Sequence, residues 1–228
     1  MPRLSVIVPT LNEAPRITGA LDALQDLRGA GHELIVVDGG SSDATAERAA
    51  PLADRVLCGP RGRGPQMNAG ARVARAAVLL FLHADTRLPP GAADTILRGL
   101  QRSGCDWGRF DVRLSGERPA FRLIASLMNL RSRITGIATG DQALFVRREW
   151  FRAAGGYAEQ PLMEDVDLSR RLKRRGPPLC LHERVVTSSR RWERDGVART
   201  VLLMWRLRLA YALGGDPHRL ARRYHPGR

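Results

Sequence analysis

Cysteine, lysine and aromatic side chains are scarce in this chain of 228 residues: 3 cysteines, a single lysine at Lys173, and 5% aromatics. Cys58, Cys105 and Cys180 are odd in number and far apart, with no C-x-x-C pair. A disulfide scaffold and a thiolate zinc or redox motif are thereby excluded, and the three read as buried thiols in a reducing cytoplasm. With so few aromatics and no helix-turn-helix or RNA-binding signature, nucleic acid is not an expected partner. No run reaches the roughly 18 apolar residues of a membrane span, and "MPRLSVIVPT" lacks the cleavage site of a secretory leader. A cytoplasmic location is the expectation. No internal period marks a repeat protein.

What is present is the composition of an ordinary folded chain, 43% hydrophobic and 26% charged, with 23 Gly and 14 Pro. The formal net charge is +14, and it is unevenly placed. Residues 1–167 hold 21 basic and 19 acidic side chains, whereas residues 168–228 hold 16 and 4. A cationic end calls for an anionic partner, either phosphate or an acidic membrane surface touched peripherally.

Four aliphatic runs, 4–10, 33–40, 55–59 and 77–85, are too apolar for strands with one wet face. They predict a parallel sheet covered by helices on both faces, with helical segments between them. Ile17, Ala20, Leu21, Leu24 and Leu27 mark one such helix, and Asp43 is placed to cap another. Beyond residue 86 the pattern predicts helices near 90–101, 119–133, 148–154 and 164–175, and strands at 108–114 and 143–146. The fold class is α/β, an open and mainly parallel sheet with a basic helical C-terminal extension over 195–228. In that extension Asp195 can cap a helix that Gly214 and Gly215 stop. Arg199 and Arg206 share a side of it and Arg208 lies nearly opposite, so a helix packed against the domain fits better than an interfacial membrane helix.

In such sheets ligands bind beyond the carboxyl ends of the strands. Those ends read "PTLNE", "DGGSSD", "GPRGRGPQMNAG" and "HADT". Pro9, Asn12, Asp38 and Asp43 suit turns and caps as well as ligands. The glycine-rich third end lacks the spacing of a dinucleotide or P-loop site, yet its amides with Arg61 or Arg63 can meet a phosphate ahead of a helix. His83 and Asp85, two residues apart on a strand, would point the same way and can hold Mg²⁺ or Mn²⁺ on a diphosphate. Glu164, Asp165 and Asp167 open a helix, where acids suit the dipole; Asp165, just after "GGYAEQPLM", can also serve as a general base. "SSRRW" sets adjacent arginines beside Trp192, a clamp for phosphate or a solvated basic face.

In order, these segments resemble a family-2 glycosyltransferase of the GT-A fold from residue 4 to about residue 194. "SVIVPTLNE" and "VVDGGSSDAT" look like its nucleotide-binding strands, and "HAD" like its metal-binding D-x-D. "TGDQALFVRRE", "GGY" and "MEDVDLSRRL" resemble its acceptor segment and catalytic helix, and "RRW" the end of its Q-x-x-R-W motif. The best fit is to small soluble bacterial members, some assigned to arsenosugar biosynthesis. The resemblance implies a GT-A domain over 1–194, with a nucleotide-binding half at 1–86 and an acceptor half at 87–194. It implies a nucleotide-sugar donor, UDP-linked by default, and a hydroxyl-bearing acceptor, small or lipid. Donor contacts would come from Pro9, Thr10, Asn12, Glu13, Asp38, Arg63, Asn68, Arg191 and Trp192, and acceptor contacts from Gly140 and Asp141. Asp85 with His83 would hold the metal, and Asp165 with Glu164 would carry the base chemistry of an inverting transfer.

Three positions depart from the pattern. His83 replaces the first Asp of D-x-D, Gly39 stands where many relatives have a second acid, and Ser188 replaces the Gln of Q-x-x-R-W. The last argues against a processive synthase. An enzymatic rival is a sugar-phosphate nucleotidyltransferase, although "PTLNE" occupies the place of its usual glycine-rich loop. A rival of another class is a basic module that binds anionic surfaces.

Overall fold

The computed structural model describes residues 2–224. Eight strands form one mixed sheet: β1 Leu4–Thr10, β2 Glu33–Asp38, β3 Arg55–Cys58, β4 Val78–Phe81, β5 Thr86–Arg87, β6 Trp107–Leu114, β7 Phe145–Arg147 and β8 Leu179–Thr187, in the order β3-β2-β1-β4-β7-β6-β8-β5. The first four are parallel, β7 runs antiparallel between β4 and β6, and β8 lies parallel to β6. The helices are α1 Ala14–Asp22, α2 Gln25–Gly29, α3 Thr45–Ala49, α4 Arg63–Val73, α5 Ala92–Ser103, α6 Pro119–Thr135, α7 Arg148–Ala153, α8 Glu164–Lys173, α9 Arg190–Asp195, α10 Val197–Ala212 and α11 Pro217–Tyr224.

The twofold alternation of a strand explains why β1 carries apolar side chains on both faces. Val6 and Val8 join Ile17 and Leu21 of α1 and Ile96 of α5 in one core. Ile7 faces the other way, into a core with Met67 of α4, Phe151 of α7 and Leu168 of α8. Helix α4 lies so close to the sheet that a Cβ on Gly70 would stand 2.5 Å from Ile7 Cγ2. That approach sets where the N-terminus of α4, with Arg63, meets the strand ends.

Several expectations change. The helix expected through Leu27 breaks after Asp22, and α2 restarts at Gln25. Strand β8 was not expected because His182, Glu183 and Arg184 interrupt its alternation; they stand exposed beside a register shift against β6. Asp43 lies one residue before the N-cap position of α3, Ala44; its Oδ1 accepts the Thr45 N–H at the head of that helix at 3.1 Å and its Oδ2 accepts the Ala14 N–H at 3.2 Å, so it also ties two loops together. The cysteines are not buried thiols, since β3 is an edge strand that leaves Cys58 exposed, and Cys105 and Cys180 are half-buried. The C-terminal extension, of which residues 225–228 lie outside the described residues, is divided in two by the turn at Gly214, φ +86°. Gly196, at φ +82°, precedes α10 in place of the Asp195 cap, which closes α9. Leu207 of α10 and Leu220 of α11 close a small core with Leu162, Met163 and Val166, so the extension is docked on α8.

Candidate active site

The carboxyl ends of β1 and β2 are register partners at Thr10 and Asp38. Asp38 is buried and organises the turn that follows it. Its Oδ2 accepts the Ser41 N–H at 2.8 Å and the Gly40 N–H at 3.1 Å, and its Oδ1 accepts the Ser41 and Thr10 hydroxyls at 2.5 and 3.3 Å. Asn12 reaches across from the first loop at φ +54°, a conformation asparagine tolerates better than most residues. Its N–H donates to Ser41 Oγ at 2.8 Å, and its Oδ1 accepts the Ser42 N–H at 2.9 Å. The Glu13 N–H donates to Thr45 Oγ1 at 2.8 Å. Pro9, Thr10, Asn12, Glu13 and Asp38 therefore belong to one cross-stitched rim.

Gln66, which the sequence reading passed over, completes that rim. Its Nε2 donates to Thr10 O and Val37 O, both at 2.7 Å. A Cβ at Gly39 would lie 3.0 Å from the same nitrogen, so Gln66 fills the space an acidic side chain would need. The departure at Gly39 and the glutamine on α4 are thus one feature.

Beyond β4 the geometry differs from a straight extended presentation. The strand ends at Phe81, and the Thr86 N–H donates to His83 O at 3.0 Å, closing a turn over residues 83–86. The shared presentation of residues i and i+2 on an extended strand therefore does not apply to His83 and Asp85. His83 Nδ1 lies 3.9 Å from Asp141 Oδ1, and its ring covers Gly140 so closely that a Cβ there would stand 2.6 Å from His83 Nε2. Asp85 Oδ2 is 3.7 Å from Arg190 Nη2. Both carboxylates stay open to a ligand, with 37% of the Asp85 side chain and 47% of the Asp141 side chain exposed. Among the described residues no three His, Cys, Asp or Glu side chains form a ready metal cage.

Helix α8 starts abruptly because Met163 stands in the left-handed region, φ +65°, and so places Glu164 and Asp165 in its first turn. Asp165 Oδ2 accepts the Gly140 N–H at 2.7 Å, which locks the carboxylate to the 3₁₀ turn Gly140–Gln142. Glu164 is buried, and desolvation with the neighbouring Asp165 charge lifts its pKa to about 7. Asp141 is also raised, by desolvation and by Asp85 and Asp165, against the pull of His83 and Arg63. Desolvation and Arg63 keep the His83 imidazole below its ordinary value, so it is neutral at neutral pH. Arg63 at the start of α4 faces this group, and despite desolvation the charges of Glu164, Tyr224, Asp141 and Asp85 act to hold its proton.

The structure thus gathers Arg63, His83, Asp85, Asp141, Glu164 and Asp165 from four separate stretches of chain. Two other expected residues lie elsewhere. Asn68 is engaged with the backbone of Tyr157, its Nδ2 donating to Tyr157 O at 2.8 Å and its Oδ1 accepting the Tyr157 N–H at 2.9 Å. Trp192 packs on the cluster of Leu114, Phe121 and Ile124. Arg191 donates from Nη2 to Tyr224 O at 2.9 Å and stacks 3.5 Å from the centre of that ring, so α11 borders the site. Arg131 on α6 also went unnoticed. Desolvation, with a smaller contribution from Arg208, lowers it to about 10 against the opposing charges of Asp165 and Asp141. An arginine in an arginine-rich chain carries no local signal of such a position.

A model of Glycosyl transferase family 2 matches residues 5–153, well over half of the chain. The chain belongs to glycosyl transferase family 2. A PGL/p-HBAD biosynthesis glycosyltransferase of Mycobacterium bovis (strain BCG) is 38% identical over 104 residues, 42% of this chain and 40% of that protein. An uncharacterized protein of Mycobacterium tuberculosis is 37% identical over 102 residues, 42% of this chain and 32% of that protein. These matches thus span two fifths or less of the length of the relatives. Among solved structures, S. aureus TarS 1–349 superposes with a TM-score of 0.65 at 19% identity, covering 82% of this chain and 60% of that one. The mannosyltransferase PcManGT of Pyrobaculum calidifontis, in complex with GDP-Man and Mn²⁺, gives 0.62 at 24% identity, with 92% and 61% covered. At those identities the likeness establishes the fold, the mixed α/β GT-A sheet of this family.

Proposed function

We propose that the protein transfers a sugar from a nucleoside-diphosphate sugar to an acceptor hydroxyl, with inversion at the anomeric carbon and with Mg²⁺ or Mn²⁺ as cofactor. The observation that carries this reading is the Asp165 carboxylate, fixed by the Gly140 amide inside one cluster with His83, Asp85 and Asp141. A half-buried carboxylate with its orientation set suits removal of a proton from an attacking hydroxyl. Glu164 is buried behind it and acts as a positioning residue. The rim of Pro9, Thr10, Asn12, Glu13 and Asp38 offers backbone and carboxylate contacts for a nucleoside, and Arg63 with Arg190 and Arg191 supplies charge for its diphosphate.

The donor set suits a hard dication. Asp85 is exposed, Asp141 is half-buried, and both face the same cluster; the Asp85 charge disfavours ionisation of Asp141, a repulsion that a divalent ion relieves. His83 is neutral and can add a nitrogen, while diphosphate and water oxygens complete a six-coordinate shell of the kind Mg²⁺ prefers. When bound, the ion neutralises charge on the departing nucleoside diphosphate. The reading also has support from neighbours with the same fold, since PcManGT was solved with GDP-Man and Mn²⁺ and TarS 1–349 with UDP.

Calorimetry with UDP, GDP and dTDP, with and without Mn²⁺, tests the donor side. One nucleotide should bind far more tightly with the ion present, and Asp85→Ala should cut that metal-dependent affinity by about 10²-fold or more, as for loss of a directly coordinating ligand. Affinity indifferent to both chelator and substitution would end the metal assignment. Gly140→Ala should force His83 aside and tilt the amide that holds Asp165. A misplacement near 1 Å costs turnover about 10²-fold, with the nucleoside rim untouched. Normal turnover in that variant would separate Gly140 from the chemistry.

A further inference from the structure

Two neighbouring helices turn large apolar side chains outward. Leu123, Leu127, Leu130 and Ile134 of α6 are 52–74% exposed, and Leu202, Trp205 and Leu209 of α10 with Leu213 just beyond it are 51–80% exposed. Steps of three and four residues put each set on one face of its helix. The other faces are already occupied: Phe121, Ile124 and Met128 of α6 meet Val197 and Val201 of α10 in a shared cluster. Contiguous exposed apolar surface of this kind marks an interaction site.

Its surroundings are basic. Arg122, Arg199 and Arg206 are exposed beside the stripes. The α6 stripe runs at Ile134 into an open groove of about 460 Å³ lined also by Arg133, Lys173, Arg174 and Arg175. Arg208, whose opposed position on the helical wheel argued against an interfacial helix, is half-buried on the side facing Arg131 of α6 and so lies off the outward face.

We propose that the face formed by α6 and α10 docks on a bilayer surface rich in anionic lipid, with the leucines and Trp205 at the level of the headgroups and the Lys173–Arg175 groove holding a lipid phosphate. An anionic bilayer answers both features of this face, apolar depth and positive rim. A second copy of the chain answers only one, because pairing this face with itself would set arginine rims against each other. The chain runs from the end of α6 through four residues to Gly140 and the candidate active site, and vesicle binding itself stands apart from the proposed sugar transfer.

The test is flotation with vesicles of phosphatidylcholine alone and of phosphatidylcholine containing about one third phosphatidylglycerol, at low and high salt. The full chain should float with the anionic vesicles and be released by salt. Leu127→Glu with Trp205→Glu should weaken flotation at least about tenfold, and Arg174→Glu with Arg206→Glu should remove the preference for anionic lipid. Those side chains are exposed, and unchanged circular dichroism and nucleotide binding would verify that the variants are folded. A wild-type chain that sediments without either vesicle overturns the proposal. So does flotation that survives the apolar substitutions. Sedimentation showing a dimer that L127E/W205E dissolves, with no flotation, assigns the face to a second copy instead.

Discussion

Asp165→Asn should lower turnover by about two to four orders of magnitude, measured as release of nucleoside diphosphate from the nucleotide sugar, with UDP or GDP affinity held within about twofold. The contrast follows from where the carboxylate sits. Its Oδ2 is bound to the Gly140 amide and its Oδ1 to the Val166 amide, both at 2.7 Å, and neither contact reaches the rim of β1 and β2. Asparagine can turn its carbonyl to Gly140 and keep that contact while giving up the local one to Val166, but its amide nitrogen cannot accept a proton. The substitution therefore removes basicity more than geometry. Uniform loss of nucleotide binding would move Asp165 to a structural role, and retained turnover would remove it from the chemistry. The pH dependence adds a second reading. Asp165 is one cause of the raised Glu164 pKa, so its replacement should bring Glu164 back toward 4.5.

How far the site could be read in advance depended on whether the signal was local. Strands β1, β2 and β4 announce themselves because a strand covered on both faces carries apolar residues toward both, as Val6–Val8 and Leu34–Val37 do. The order of motifs along the chain likewise singled out Asp85, Asp141 and Asp165, whose charges the fold brings into one cluster. Side-chain direction was not legible. His83 and Asp85 look coplanar only if the strand continues, and a hydrogen bond from Thr86 to His83 bends it. Gln66 and Gly39, 27 residues apart, form one fitted pair that no window along the sequence displays. The stripes on α6 and α10 fail for a third reason. Apolar spacing of three and four is the same whether the face meets a core or nothing in the chain at all. Only the cluster of Phe121, Ile124 and Val201 shows which sides were already covered.

Glu164→Gln should stabilise the fold at neutral and higher pH, relative to its effect in acid, by up to about 3 kcal/mol, the product of roughly 2.5 pKa units and 1.36 kcal/mol per unit. The direction follows from the folded pKa of about 7 lying above the ordinary 4.5. An unfolded chain loses this proton as pH rises past 4.5, while the folded chain holds it until about 7. The stability it contributes is thus complete below the unfolded value, is lost across the window between them, and changes no further above it. Glutamine carries no charge at any of these values, so its unfolding free energy lacks that decline. Urea unfolding of both chains at pH 4.5, 6 and 8 isolates the effect, because titrating groups away from Glu164 cancel in the difference. The two curves should diverge through the window and run parallel beyond it. If they stay parallel throughout, Glu164 ionises in the fold as it does in water, and the cost of holding two adjacent carboxylates at the head of α8 falls away. If they diverge as expected, the pair is stored electrostatic strain. The positive charge of Arg63, which pulls the Glu164 pKa down against desolvation and the Asp165 charge, is then what limits that strain.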